Sequence, residues 1–141
     1  MIDATLHIIS GIENCLSNAN YDGTSFPVLD VLPQSRSFNY IWIKGISATD
    51  DGTKDKEIQN IKIDIEVIKS GTAQKGNLTA VTEIANQVIK SLKNISVNNY
   101  FIAISPRLIN YSFVDEIVNA ENTQIIIDRK LLSFEMLIQK S

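Results

Sequence analysis

The chain has 141 residues with 44% apolar and 21% charged content and a mean hydropathy near zero, a composition that excludes wholesale disorder and a membrane-embedded chain and fits one folded domain. Its net charge of -3, from 13 basic and 16 acidic residues, argues against a general binder of the phosphate backbone. A single cysteine forms no intrachain disulfide, and no basic leader or run of roughly 20 apolar residues marks secretion or a membrane span.

The first predicted element is a helix over residues 3–18. Asp3 is placed to cap it, and Leu6, Ile9, Ile12 and Leu16 form an apolar stripe widened by Ala4, Ile8, Cys15 and Ala19. Cys15 reads as core filler and His7 as a packing or surface residue, since neither has converging partners for nucleophilic or metal chemistry. Residues 20–37 carry Gly23, Pro27 and Pro33 and predict an irregular crossover with one short extended segment at 28–32.

Residues 38–46 set Phe38, Tyr40 and Trp42 against Asn39, Ile41 and Ile43, so the strand they predict is apolar on both faces. Residues 47–59 break that pattern. Asp50, Asp51, Asp55 and Glu57 against Lys54 and Lys56 give four acids and two bases, a local charge of -2, in what reads as a long solvated arm. Its acids lack the glycine and terminal glutamate spacing of a calcium loop. Residues 60–68 then alternate Ile61, Ile63, Ile65 and Val67 with Lys62, Asp64 and Glu66, the pattern of a half-buried strand.

Gly71 and Gly76 mark a turn that delivers Asn77 as a helix cap. Lys75 stands beside Gly76, but no phosphate-loop spacing occurs. The helix over residues 78–93 carries Leu78, Val81, Ile84, Ala85, Val88, Ile89 and Leu92 at steps of three and four, and it is the element the rest of the chain is predicted to cover. Asn98 and Asn99 predict a turn, residues 100–105 a short strand ended by Pro106, and residues 107–118 a continuation or a new strand. After a turn at 119–123, residues 124–138 alternate again, with Asp128, Arg129 and Lys130 as a polar break.

Two amphipathic helices and four or five strands predict an α+β fold, a small mostly antiparallel β-sheet with both helices packed on one face. The other face is then bare, and Tyr40, Trp42, Ile68 and Leu131 make it partly apolar, which predicts a subunit interface.

The order of these pieces resembles the tail completion and tail terminator proteins of long-tailed bacteriophages. The residues that carry the resemblance are VLDVLPQSRSFNYIWIKG at 28–45, the polar arm from Ser47, IKIDIEVI at 61–68, the glycine turn at 71–76, EIANQVIKSL at 83–92, and Arg129 followed by an alternating strand to Ile138. The resemblance implies a virion protein assembled as a ring, usually a hexamer, at the head-proximal end of the tail tube. Such a ring ends tube polymerisation and joins the head. The implied partners are further copies of the chain, the tail tube protein and the head connector or neck protein. DNA passes through the channel without specific binding, and neither cofactor nor membrane is involved. Assembly is expected in the host cytoplasm. Interface candidates are Tyr40, Trp42, Asp50, Asp51, Lys54, Asp55, Lys56 and Arg129. The alternatives are a head-closure or connector ring protein, a small ligand-binding domain or enzyme, and a nucleic-acid adaptor.

Overall fold

The computed structural model describes residues 1–31, 39–71, 77–120 and 123–141. Expectations that rest on Leu32, Pro33, Phe38, Lys75 and Gly76 lie outside the described residues. The described elements are α1 (Thr5–Cys15), β1 (Asn20–Tyr21), β2 (Thr24–Ser25), β3 (Val28–Leu29), β4 (Tyr40–Asp50), β5 (Ile58–Gly71), α2 (Asn77–Leu92), β6 (Tyr100–Ala120) and β7 (Thr123–Lys140). The fold is α+β, with a five-stranded sheet in the order β3-β4-β5-β7-β6 beside a two-stranded β1–β2 hairpin. The larger sheet is mixed because β3 runs parallel to β4, whereas its remaining pairs are antiparallel.

α1 starts as its sequence dictates but ends early. The Asp3 carboxylate accepts hydrogen bonds from the Thr5 backbone N–H at 2.9 Å and from the Thr5 hydroxyl, which hold its pKa below the ordinary value, although Ala4 occupies the cap position itself. The buried row is Ala4, Ile8, Ile12 and Leu16, a strict four-residue step. Leu6 is 79% exposed, so the predicted stripe is rotated from the real one. Once helix α2 fixes which side of α1 meets the core, Leu6, two residues and so about 160° around the helix from Ala4 and Ile8, points to water.

The crossover contains a hairpin that the sequence analysis missed. Asp22 and Gly23 have φ of 49° and 78°, which is why a two-residue turn can link Asn20–Tyr21 to Thr24–Ser25 with the twist that paired strands require. The Ile41 N–H then donates to the Pro27 carbonyl at 2.8 Å, tying the crossover to β4.

The main core unites Ala4, Ile8, Ile12 and Leu16 of α1 with Val81, Ile84, Ala85, Val88 and Leu92 of α2 and with one row from each central strand. These rows are Ile41 and Ile43 on β4, Ile61, Ile63, Ile65 and Val67 on β5, and Leu132, Phe134, Met136 and Ile138 on β7. Register explains the rows, since Ile65 sits opposite both Ile43 and Leu132, and Ile63 opposite both Ile46 and Phe134. In α2, Ala80 is buried while Leu78 is 50% exposed, the reverse of the predicted stripe at its first turn.

Three predicted interruptions are wholly or partly strand. The arm is shorter than its composition suggests, because Ser47, Ala48, Thr49 and Asp50 pair with Lys62, Ile61, Asn60 and Gln59, leaving only residues 51–57 as loop. Pro106 does not end β6. The register shifts between Ile104 and Arg107 to accommodate it, and proline is tolerated at such an irregularity of an edge strand, which has no ladder on its outer side. Asp128, Arg129 and Lys130 do not break β7 either, since each pairs with both β5 and β6. Paired backbone overrides local polarity here.

Candidate functional site

The dominant surface feature is the outer strand of the β6–β7 hairpin. β6 is an edge strand of 21 residues, and it carries Phe101, Ile104, Ile109, Tyr111, Phe113, Val114 and Ile117, each between 38% and 63% exposed. Scattered exposed apolar residues are ordinary, whereas a run of them along one unpaired edge marks a contact surface.

The two halves of that edge differ. Its first half is interrupted by Pro106 and by register shifts between Ile102 and Ile104, Ile104 and Arg107, and Leu108 and Asn110. From Asn110 to Ala120 the pairing with β7 is unbroken. Within this regular half, Tyr111, Phe113 and Ile117 alternate onto the face that continues the core row, opposite Leu132, Lys130 and Ile126, and Val114 points to the other face. The Lys130 ammonium lies 5.2 Å from the Tyr111 ring centre and 6.0 Å from that of Phe113, so a cation covers part of the aromatic pair.

On the other side of the sheet, Tyr40, Ile68 and Ile127 are buried in a second cluster with Leu29, Trp42, Val118 and Ile125. The expected bare apolar face is therefore largely covered by the chain's own residues. Tyr40 and Ile68 are each 2% exposed, and Trp42 and Leu131 are half-buried. The hairpin runs past the end of β5, and its Val118 and Ile125 pack against that cluster.

A charged group lies beside this cluster. Glu66, expected on a solvated face, is 1% exposed. Its carboxylate stands 3.5 Å from the Arg129 guanidinium and 3.9 Å from the Lys44 ammonium, and neither of its oxygens accepts a hydrogen bond. Arg129 also reaches Glu116 on β6 at 3.5 Å, so one side chain on β7 ties a buried acid on β5 to the edge strand. A cavity of about 50 Å³ opens between these groups and the rings of Tyr40 and Trp42. Of the sequence candidates, Tyr40, Trp42 and Arg129 are brought together here.

Asp50, Asp51, Lys54, Asp55 and Lys56 lie apart from them, all exposed, at the β4–β5 turn. The turn is ordered by its own backbone. Asp50 accepts from the Gly52 N–H at 2.9 Å, the Thr53 N–H donates to the Lys56 carbonyl at 3.0 Å, and a Cβ on Gly52 would meet that same carbonyl at 2.6 Å. The chain start is latched to the arm's base, where the Ile2 N–H donates to Glu57 at 2.8 Å and the Gln59 amide donates to the Ile2 carbonyl at 2.9 Å. Among the described residues no group of three or more histidine, cysteine, aspartate or glutamate side chains converges to hold a metal ion.

A cavity of about 430 Å³ forms an open groove between α1 and the turn after α2, lined by His7, Ser10, Asn14, Cys15, Asn94 and Ser96 among others. Burial pushes the Cys15 thiol up, partly offset by a hydrogen bond with the Ser96 backbone, which keeps it protonated and weakly nucleophilic. Among the described residues, no aspartate, glutamate, lysine or arginine lines the groove.

No protein-family model matches the chain, and no curated protein sequence matches it. Among solved structures, a chain in the virion of a native gene transfer agent (GTA) particle matches with a TM-score of 0.61 at 15% sequence identity, over 99% of this chain and 99% of that chain. The likeness is one of fold.

Proposed function

We propose that this chain is a structural protein of a phage-like virion, one that forms a ring at the head-proximal end of a tail tube, ends tube polymerisation and joins the tail to the head. The observation that carries the proposal is the long apolar edge of β6, a surface fit for another polypeptide. The end-to-end likeness in fold to a chain of the gene transfer agent virion supports it. In this proposal the chain acts as one domain, both helices cover the same sheet face, and the β6 edge turns toward neighbours.

A ring follows when a head-to-tail interface closes on itself, and six copies is the number the tail-terminator resemblance implies. The partners are then the chain itself, the tail tube protein and the connector or neck protein, with the finished ring residing in the virion after assembly in the host cytoplasm. The arm with Asp50, Asp51, Lys54, Asp55 and Lys56 is proposed to meet the tube or to line the channel. There its net negative charge lets DNA slide past without binding. Trp42, Tyr40 and Arg129 are proposed to support the interface from beneath, through the Arg129 link to Glu116 on β6.

Electron microscopy of the purified protein, alone and mixed with isolated tail tubes, tests the proposal. Rings, or capped tubes of arrested length, are the expected result. Binding to connector with no binding to tubes would instead indicate a head-closure ring. The neutral polar groove beside α1 favours a second function, the binding of a small uncharged ligand, and a screen of neutral metabolites by amide chemical shifts would find movement confined to Ser10, Asn14, Asn94 and Ser96 if it held.

A further inference from the structure

We infer that, off the tube, two copies of this chain pair through the regular half of β6, strand against strand in antiparallel register centred on Val114, and that this two-fold dimer is the soluble form of the protein. The inference goes beyond the ring proposal, which needs a head-to-tail contact, and it accounts for how so apolar an edge stays in solution before a tube is available.

Three observations select the occupant. First, the other stretches of open edge are guarded. The outer side of β4 is paired with β3 only at Ile41 and Trp42, and just beyond it stands Lys44 at a register shift between Ile43 and Gly45. The first half of β6 has Pro106 and its shifts. Bulges, charged side chains and proline keep strand edges from pairing; among the described residues of β6 the stretch from Asn110 onward has neither bulge nor proline, and of its two charges, Asp115 and Glu116, the second is paired with Arg129.

Second, the segment is self-complementary in the register centred on Val114. Keeping the core-side faces of both copies on the same side of a joined sheet restricts the two-fold to pass through a residue. Centring on Asp115 or Glu116 sets that acid against its own copy, which is destabilising. Centring on Val114 uses the whole stretch from Asn110 to Val118. It sets Tyr111 opposite Ile117, Phe113 opposite Asp115, Ser112 opposite Glu116 and Val114 opposite itself. Tyr111 against Ile117 is an aromatic against a β-branched residue, a favourable cross-strand pair, and these are the two most exposed apolar side chains of the segment, at 63% and 58%.

Third, the exposed apolar residues lie on both faces of the strand, Tyr111, Phe113 and Ile117 on one and Val114 on the other. A helix or loop laid on one face would leave the other bare. An added strand with the same two-sided pattern covers both, and the chain itself supplies one.

The test uses single cysteines in a Cys15→Ser background with a short bis-maleimide crosslinker, alongside the mass of the native protein by light scattering. Val114→Cys is expected to crosslink to itself to a covalent dimer. Tyr111→Cys and Ile117→Cys are expected to crosslink when mixed and far less when alone. Ile104→Cys, whose two copies would lie more than about 50 Å apart, is the control and is expected to stay monomeric. A native mass twice that of the chain, lost on Val114→Pro while circular dichroism is retained, completes the expected result. Equal crosslinking at positions 104 and 114, or a monomer at high concentration, overturns the dimer. Rings on tubes seen together with a monomer in free solution would overturn this inference alone, whereas a dimer that neither caps nor binds tubes or connectors would leave the inference standing and overturn the ring.

Discussion

Glu66 on β5 and Arg129 on β7 form an ion pair at 3.5 Å in which the carboxylate is 1% exposed and the guanidinium side chain 33% exposed. The acid has left water without gaining a hydrogen bond, so its charge is balanced by Arg129 and, at 3.9 Å, by Lys44. Removing Arg129 leaves a buried carboxylate facing one exposed lysine. Arg129→Met is expected to lower stability by about 2–3 kcal/mol, below the full value for a buried pair because the arginine is partly solvated. The double variant Glu66→Leu, Arg129→Met is expected to recover most of that loss. Urea denaturation of the three proteins checks it, and a double variant no more stable than Arg129→Met would show that the pair is not the source.

Asp128 lies opposite Asp115 across the hairpin and is 5% exposed. Burial, and then the Asp115 charge, push its pKa up, while Asn77 at the start of α2 pulls in the other direction. The folded state therefore holds a proton at Asp128 to higher pH than the unfolded chain does, so this group makes stability fall as pH rises from the ordinary aspartate value of about 3.9 through the raised one. Asp128→Asn is expected to be more stable than the native chain at pH 7 and to flatten that part of the stability profile. Denaturation midpoints at several pH values between 4 and 7 measure it.

The rotated face of α1 yields a contrast between neighbours in sequence. Ile8 is 1% exposed and Leu6 79%. Ile8→Ala is expected to cost about 2–5 kcal/mol through lost transfer energy and a residual cavity, and Leu6→Gln is expected to stay within about 0.5 kcal/mol. Thermal melts separate the two, and a large loss at Leu6 would mean that the helix is turned the other way.

Gly11 sits in the middle of α1, where alanine would ordinarily favour the helix by about 1 kcal/mol. A Cβ there would come within 2.5 Å of the Ser96 carbonyl oxygen and 3.1 Å of Ile95. Gly11→Ala is expected to destabilise the protein by about 1–3 kcal/mol despite its propensity, because the backbone after α2 must move away. A gain in midpoint temperature would disprove the close approach.

Much of the fold is legible in the residues because helix and strand patterns are local. The three- and four-residue steps of α2, the alternation of β5 from Ile61 to Val67, and the Asn98–Asn99 turn, where Asn99 takes a φ of 71°, all stand close to their expected positions. Less of the candidate surface was legible. Residues 107–118 alternate only in part, with Ile109, Tyr111 and Phe113 against Asn110 and Ser112, so their pattern alone could not tell a strand covered on one side from an edge left open. A signal was present in Tyr111, Phe113, Val114 and Ile117, apolar at both parities, which in an edge strand leaves one side of each pair without cover.

Element type, the apolar rows of the central strands and the polar character of the arm were determined by the sequence itself, since each depends on neighbours within a few residues. The tertiary structure decided which of those rows is buried, by inserting β7 between β5 and β6 and letting the hairpin run past β5. That arrangement left the edge of β6 open with Tyr40, Ile68 and Glu66 out of water, and the packing of α1 on α2 turned Leu6 outward. Burial is a property of what packs from far along the chain, and no local spacing encodes it.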